Sequence, residues 1–210
     1  MVRTVYYVAA SLDGFLIDAQ NQPGGMNPGE HSGGSGASLL GDHYREFLGR
    51  VGAVAMGAGT YRSFLADTAS WPYGRIPVWI FTHHEFPGIP GADITFIRGE
   101  VAEFHPDIVY DAGEKDVLLA GGGNIARQFM DDGLIDEMVF TVVPVALGSG
   151  RPVLPVGSVT KAGVLLDTRS VGGGLVQLHY AFGCGEQNIG SGEAFGSVES
   201  FGAEAESAEE

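Results

Sequence analysis

Short β-branched and aromatic runs recur along this chain with turn residues between them, and helix-like stretches separate several of the runs. That alternation constrains the fold more than any other feature, because strands interleaved with helices build a sheet covered by helices. The strand candidates are 3–10, 52–56, 77–82, 93–97, 116–120, 136–143, 163–170 and 174–182. The first, third and fifth are nearly continuous in apolar character, as expected of strands covered on both faces. The last two are joined through Gly172-Gly173-Gly174 and read as an antiparallel hairpin. The fold class is therefore α/β.

Helices are expected over 38–48, 60–66, 100–104 and 122–132, with Ser38 and Thr60 as N-caps of the first two. In the last, Ile125, Phe129 and Met130 share one side, which can face a sheet, and Gly133 stops it. Residues 20–37 contain six glycines and two prolines, too many for a packed element, and read as a long loop of the kind that serves as a lid or as a plain insertion. Residues 184–210 carry seven Glu and no Lys or Arg, with only two large apolar side chains besides aliphatics, and read as an acidic disordered tail. One domain over 1–183 followed by that tail is the expected organisation.

The net charge of −15 argues against nucleic acid or an anionic membrane surface as partner. No apolar run approaches the roughly 20 residues of a membrane-spanning helix. The lone cysteine, Cys184, has no partner within the chain for a disulfide. A cytoplasmic protein acting on a small molecule fits these features.

Two strand-to-helix junctions carry the chemistry. Val117–Ala120 runs into Gly121, Gly122 and Gly123 and then Asn124 and Ile125. Glycines let the backbone approach a phosphate, and the N–H groups at a helix start favour its charge. The same residues also make a tight turn with no ligand. The junction Met56-Gly57-Ala58-Gly59-Thr60 repeats the logic, and two such starts favour one ligand lying beyond the strand ends. A third strand end supplies Thr82, His83 and His84. Adjacent histidines in an extended segment point to opposite faces, so no metal site is expected there.

Taken together, Ala10-Ser11-Leu12-Asp13-Gly14, Met56-Gly57-x-x-Thr60-Tyr61, Gly121–Ala126, and Leu134–Met138 followed by Val142–Pro152 resemble the reductase domain of riboflavin-biosynthesis deaminase-reductases. That family shares its fold with dihydrofolate reductase. The resemblance spans residues 3 to about 182. It implies a three-layer αβα sandwich with a mostly parallel central sheet, and an NAD(P)H-dependent reductase of a small pterin- or pyrimidine-like heterocycle. It also implies that Gly57, Ala58, Gly59 and Thr60, together with Gly121, Gly122, Gly123, Asn124 and Ile125, hold the pyrophosphate. Thr82 and His83 would then lie near the adenosine, and Ala10 with the 11–14 loop near the nicotinamide.

Two positions depart from the pattern. Ala58 stands where dihydrofolate reductases commonly carry an arginine for the adenosine 2′-phosphate, so NADPH is expected with NADH as an alternative and Arg62 or a histidine as substitute cation. Ala120 stands where riboflavin-pathway reductases tend to carry an acid, which bears on whether the substrate is the phosphoribosylaminopyrimidine of that pathway. For the proton that accompanies hydride, Asp42, which shares a helix face with Glu46, is the first candidate and Asp13 the second. A non-catalytic ligand-binding protein of the same fold is the reading from another class. Homodimerisation is expected by analogy, with strand 136–143 and the 144–155 extension as interface.

Overall fold

The computed structural model describes residues 1–16, 43–66, 71–157 and 162–182. Loop 20–37, Ser38, Asp42 and the acidic tail lie outside the described residues.

Eight strands form one sheet: β1 (Thr4–Ser11), β2 (Val51–Gly57), β3 (Val78–Phe81), β4 (Ile94–Ile97), β5 (Asp116–Ala120), β6 (Glu137–Val143), β7 (Val164–Gly172) and β8 (Leu175–Ala181). Their spatial order is β4-β3-β2-β5-β1-β6-β8-β7. All pairings from β4 to β6 are parallel, and β8 runs antiparallel to both β6 and β7. A parallel pair needs a crossover, and the helices supply it. They are α1 (described over 43–48), α2 (Ala58–Ala66), α3 (Val101–Ala112) and α4 (Asn124–Asp131).

Alternation along β1 shows why three layers form. Tyr6, Val8 and Ala10 pack with Ile108 of α3 and Phe129 of α4, while Val5 on the opposite face packs with Phe47 of α1 and Tyr61 of α2. Each face of the sheet is thus closed by its own pair of helices, as side chains of period two require. Burying an aliphatic or aromatic side chain contributes about 1.5–3 kcal/mol, so these two layers supply most of the stabilisation.

Several boundaries differ from the sequence expectation. The helix expected over 100–104 extends through Pro106 to Ala112. Proline removes the bond to the Ala102 carbonyl, but Ala102 and Pro106 both lie on the exposed side, where water replaces the lost donor. The helix expected from Thr60 begins at Ala58, so Thr60 is its third residue and not its N-cap. The 122–132 helix starts at Asn124, after Gly123 in a left-handed conformation with φ 71°. Of the strands expected to be covered on both faces, β3 is second from the edge and alternates buried with half-buried, whereas β2 takes the interior place beside β5.

The strand proposed as a subunit interface, 136–143, is paired on both edges by β1 and β8 and offers no free edge. Within the sheet, the exposed aliphatics lie on the edge strand β7, at Val164, Leu165 and Leu166.

Candidate functional site

Parallel strands deliver all their carboxyl ends to one side of the sheet, and the ends of β4, β3, β2 and β5 are neighbours there. A cavity of about 780 Å³ opens across them. At a strand spacing of about 4.8 Å its mouth spans about 14 Å. Gly57, Ala58, Gly59 and Thr60 line it from the β2–α2 junction, and Gly122, Gly123, Asn124 and Ile125 from the β5–α4 junction. Thr82 and His83 line it from the end of β3. Residues far apart in sequence therefore share one surface.

The two junctions touch. Gly121 has φ 87°, and a Cβ placed on it would collide with the hydroxyl of Thr60. A Cβ at Gly122 would collide with the Tyr6 hydroxyl and the Leu16 side chain. Close approach of other groups therefore requires glycine at both positions, and Gly121 also needs the left-handed conformation. Gly123 has no atom within 4 Å of its would-be Cβ, so at that point the turn is open towards the cavity. Gly57 lies beside Ile125, 3.6 Å from its would-be Cβ.

Ala10 is fully buried in β1 and does not line this cavity. Thr82 is also mostly buried, and its hydroxyl accepts a bond from the His84 amide at 2.9 Å, turning the chain away from β3. His83 is exposed at the rim.

Charge is the feature that sequence reasoning missed. Arg98, Arg127 and Arg151 line the cavity with His83 and His84, and Glu100 is the one acid among the described lining residues. In a chain of net charge −15 this is a local reversal of sign. Each arginine had a legible neighbour: Arg98 directly follows β4, Arg127 is three residues into α4, and Arg151 lies in the Gly148–Pro152 turn. Which strand ends are adjacent is what unites them, and the linear order does not state that. Arg62, expected as a substitute cation, instead stands over the Phe86 ring at 5.6 Å and does not line the cavity.

Asp13 is engaged elsewhere. Its carboxylate accepts hydrogen bonds from Ser11 Oγ at 2.5 Å, from the Leu147 amide at 3.1 Å and from the Gly148 amide at 2.7 Å. The Ser11 bond first, then the two amides, hold its pKa down to about 2. Bonds to the charged form keep it ionised, so as a proton donor Asp13 is poorly suited. The Gly14 amide donates to the Ser11 carbonyl at 3.0 Å, so Asp13 stands inside a tight turn at the end of β1. Asp42 lies outside the described residues. On the face of the sheet covered by α1, Tyr7 packs edge-on against Tyr44, 5.1 Å between ring centroids, and its hydroxyl accepts a bond from Gln177 Nε2 at 2.8 Å. Burial raises the pKa of Tyr7. No group of three or more metal-ligating side chains occurs among the described residues. No described helix is long and apolar enough to cross a membrane.

Comparison with known proteins places this geometry. The RibD C-terminal domain family matches residues 67–176. The uncharacterised protein YwjB of Bacillus subtilis is 31% identical over 183 residues, which cover 85% of this chain and 97% of YwjB. Among solved structures, a Shewanella sp. PV-4 protein provisionally assigned to riboflavin biosynthesis superposes with a TM-score of 0.66 at 22% identity, covering 87% of this chain and 99% of that one. The diaminohydroxyphosphoribosylaminopyrimidine deaminase/5-amino-6-(5-phosphoribosylamino)uracil reductase of Thermotoga maritima superposes with a TM-score of 0.59 at 16% identity, covering 86% of this chain and 56% of that one. These structures share the fold.

Proposed function

The chain belongs to the RibD C-terminal domain family, and from that premise we propose that it is a reductase drawing hydride from a reduced nicotinamide dinucleotide to reduce a small heterocycle. The observation that carries this reading is the cavity beyond the strand ends, where two glycine-led helix starts and three arginines meet in an otherwise acidic protein.

The residues fit such a group on physical grounds. Helix starts present unpaired N–H donors and a partial positive charge, and both act on phosphate without a side chain. Gly123 leaves its turn open, Gly59 sits in the first turn of α2, and arginines add charge-assisted donors. Phe81 and the histidines of the β3 end supply flatter, less charged lining towards the side where the adenosine would lie. When bound, the dinucleotide supplies the hydride, and the protein's part is to hold, orient and exclude water.

The expected coenzyme is NADPH. Ala58 provides no cation for a 2′-phosphate, but Arg98 and His83 line the outer part of the cavity at the ends of β4 and β3 and can take that role. Asp13, held ionised, makes Asp42 or a bound water the preferred source of the proton.

The Thermotoga relative favours a second reading, in which the heterocycle is a phosphoribosylaminopyrimidine of the riboflavin pathway. One assay separates the readings. Purified protein is titrated with NADPH and NADH, then supplied with dihydrofolate, other pterins or 5-amino-6-(5-phosphoribosylamino)uracil while absorbance of the coenzyme is followed. Coenzyme oxidation with the phosphoribosyl substrate alone establishes the riboflavin reading, and oxidation with pterins establishes the first. Tight coenzyme binding with no oxidation by any of them would identify a non-catalytic binding protein.

A further inference from the structure

Segment 145–153 contains no helix or strand of its own, yet it carries Arg151 into the cavity. What fixes it is loop 11–16. The Leu12 amide donates to the Val145 carbonyl at 2.7 Å, the Leu16 amide to the Arg151 carbonyl at 2.8 Å, and the Val153 amide to the Gly14 carbonyl at 3.0 Å. Between these backbone bonds sits one side chain, Asp13, whose carboxylate takes the amides of both Leu147 and Gly148. Phe15 and Pro152 complete the pairing as an antiparallel bridge.

The destination of the strap is specific. Nη1 of Arg151 lies 3.2 Å from the position that a Cβ would take on Gly59. The guanidinium therefore stands directly over the β2–α2 junction, in the same cavity as the β5–α4 turn. Backbone bonds alone would tether the strap at its two ends and leave Gly148–Gly150 to choose among the many conformations open to glycine. Gly148 and Gly150 both have positive φ, 70° and 150°, so the path between Leu147 and Arg151 uses that freedom. The two bonds to Asp13 restrict it at Leu147 and Gly148, leaving only Ser149 and Gly150 before Arg151.

We propose that Asp13 is a positioning residue: by gripping Leu147 and Gly148 it sets the path of the strap and so holds Arg151 where it contacts the dinucleotide pyrophosphate. The proposal rests on the dinucleotide reading of the cavity, and it assigns Arg151 a contact and Asp13 an action through Arg151. Loop 11–16 and the phosphate grip are then one mechanical unit, and occupancy of the cavity is felt in the loop.

The test compares wild type, Arg151→Ala, Asp13→Asn, the double variant and Arg169→Ala. Arg169 is a control that removes the same charge from the edge strand β7, where it pairs with Asp167. Each protein is titrated with NADPH and with NADH at one ionic strength, and its thermal unfolding is recorded. Arg151→Ala is expected to weaken both coenzymes alike by about tenfold or more, the loss of a charge-assisted bond. Asp13→Asn is expected to weaken both by a smaller factor, and the double variant to bind no more weakly than Arg151→Ala alone. Arg169→Ala should bind as wild type.

A second readout needs no Asp13 variant. Coupling is reciprocal, so NADPH should slow hydrogen exchange at the Leu147 and Gly148 amides in wild type and not in Arg151→Ala. Additive losses, a loss confined to NADPH, unchanged affinity in a folded Asp13→Asn, or exchange that ignores NADPH would each overturn the inference while leaving the dinucleotide reading intact. Wild type that binds neither coenzyme overturns both.

Discussion

A carboxylate placed at Gly59 should strengthen the fold and weaken coenzyme binding, two effects of opposite sign from one substitution. Gly59 is the second residue of α2 and has an ordinary, non-left-handed φ, so a side chain costs no backbone strain. The nearest group to its would-be Cβ is Nη1 of Arg151 at 3.2 Å, the end of a side chain that can shift by a few tenths of an ångström. For Gly59→Asp three small terms favour folding. Replacing glycine in a helix contributes about 0.3 kcal/mol when the newcomer is Asp. An acid in the first turn contributes about 0.3–1 kcal/mol, and a solvent-exposed pair with Arg151 about 0.2–1 kcal/mol. A total near 1 kcal/mol raises Tm by roughly 2–4 °C for a chain of this size. Binding moves the other way. One added negative charge about 5 Å from a phosphate, at an effective dielectric of about 20, costs about 3 kcal/mol, or a hundredfold and more in affinity. Thermal unfolding and NADPH fluorescence titration on the same sample read both effects. A stabilised variant that still binds NADPH like wild type would refute the assignment of this cavity to phosphate.

Three further outcomes are expected. Gly121→Ala should destabilise by more than the roughly 1–2 kcal/mol of left-handed backbone, because its methyl meets Thr60. Gly133→Ala, with φ 67° and nothing near its would-be Cβ, should show the backbone cost alone, and equal losses in chemical denaturation would contradict the packed junction. The Asp13 carboxyl should titrate at about 2 by NMR, below its ordinary value of 3.8. Because the folded value is depressed, its stabilisation is fully present above about pH 4 and disappears as pH falls through about 2, so the Leu147 and Gly148 amides should lose protection only in that window. The edge strand β7 exposes Val164, Leu165 and Leu166 by 44%, 51% and 50%, an apolar row on an edge that no other described strand pairs. If a second copy covers it, light scattering should show a dimer, and Leu166→Glu should shift it towards monomer. Identical masses for the two proteins would locate any interface elsewhere.

Much of the fold is legible in the residues because local chemistry writes it there. Runs such as Val5–Val8 and Val117–Ala120 are short, almost wholly apolar and bounded by turn residues, which suits strands covered on both faces. The hairpin turn was equally plain: Gly172, Gly173 and Gly174 all have positive φ between β7 and β8. Pro106 hid most of α3, since a proline reads as a stop and only its exposed side made it tolerable. Thr60 has the sequence character of a cap yet lies inside α2, because a helix start two residues earlier leaves no trace in side-chain pattern when those residues are Ala and Gly.

The candidate site divides along the same line. The two glycine junctions were visible, because a chain turning tightly from strand to helix needs glycine wherever other groups press on its backbone. That they press on each other, through Thr60 and Gly121, is settled by the pairing of β2 with β5, two strands separated by 58 residues of intervening chain. The role of Asp13 and the convergence of Arg98, Arg127 and Arg151 were likewise decided by which strand ends lie side by side. Linear sequence determines what each segment can become, since propensity and period act over a few residues. Where charge accumulates depends on long-range pairing, and electrostatic fields add through space rather than along the chain.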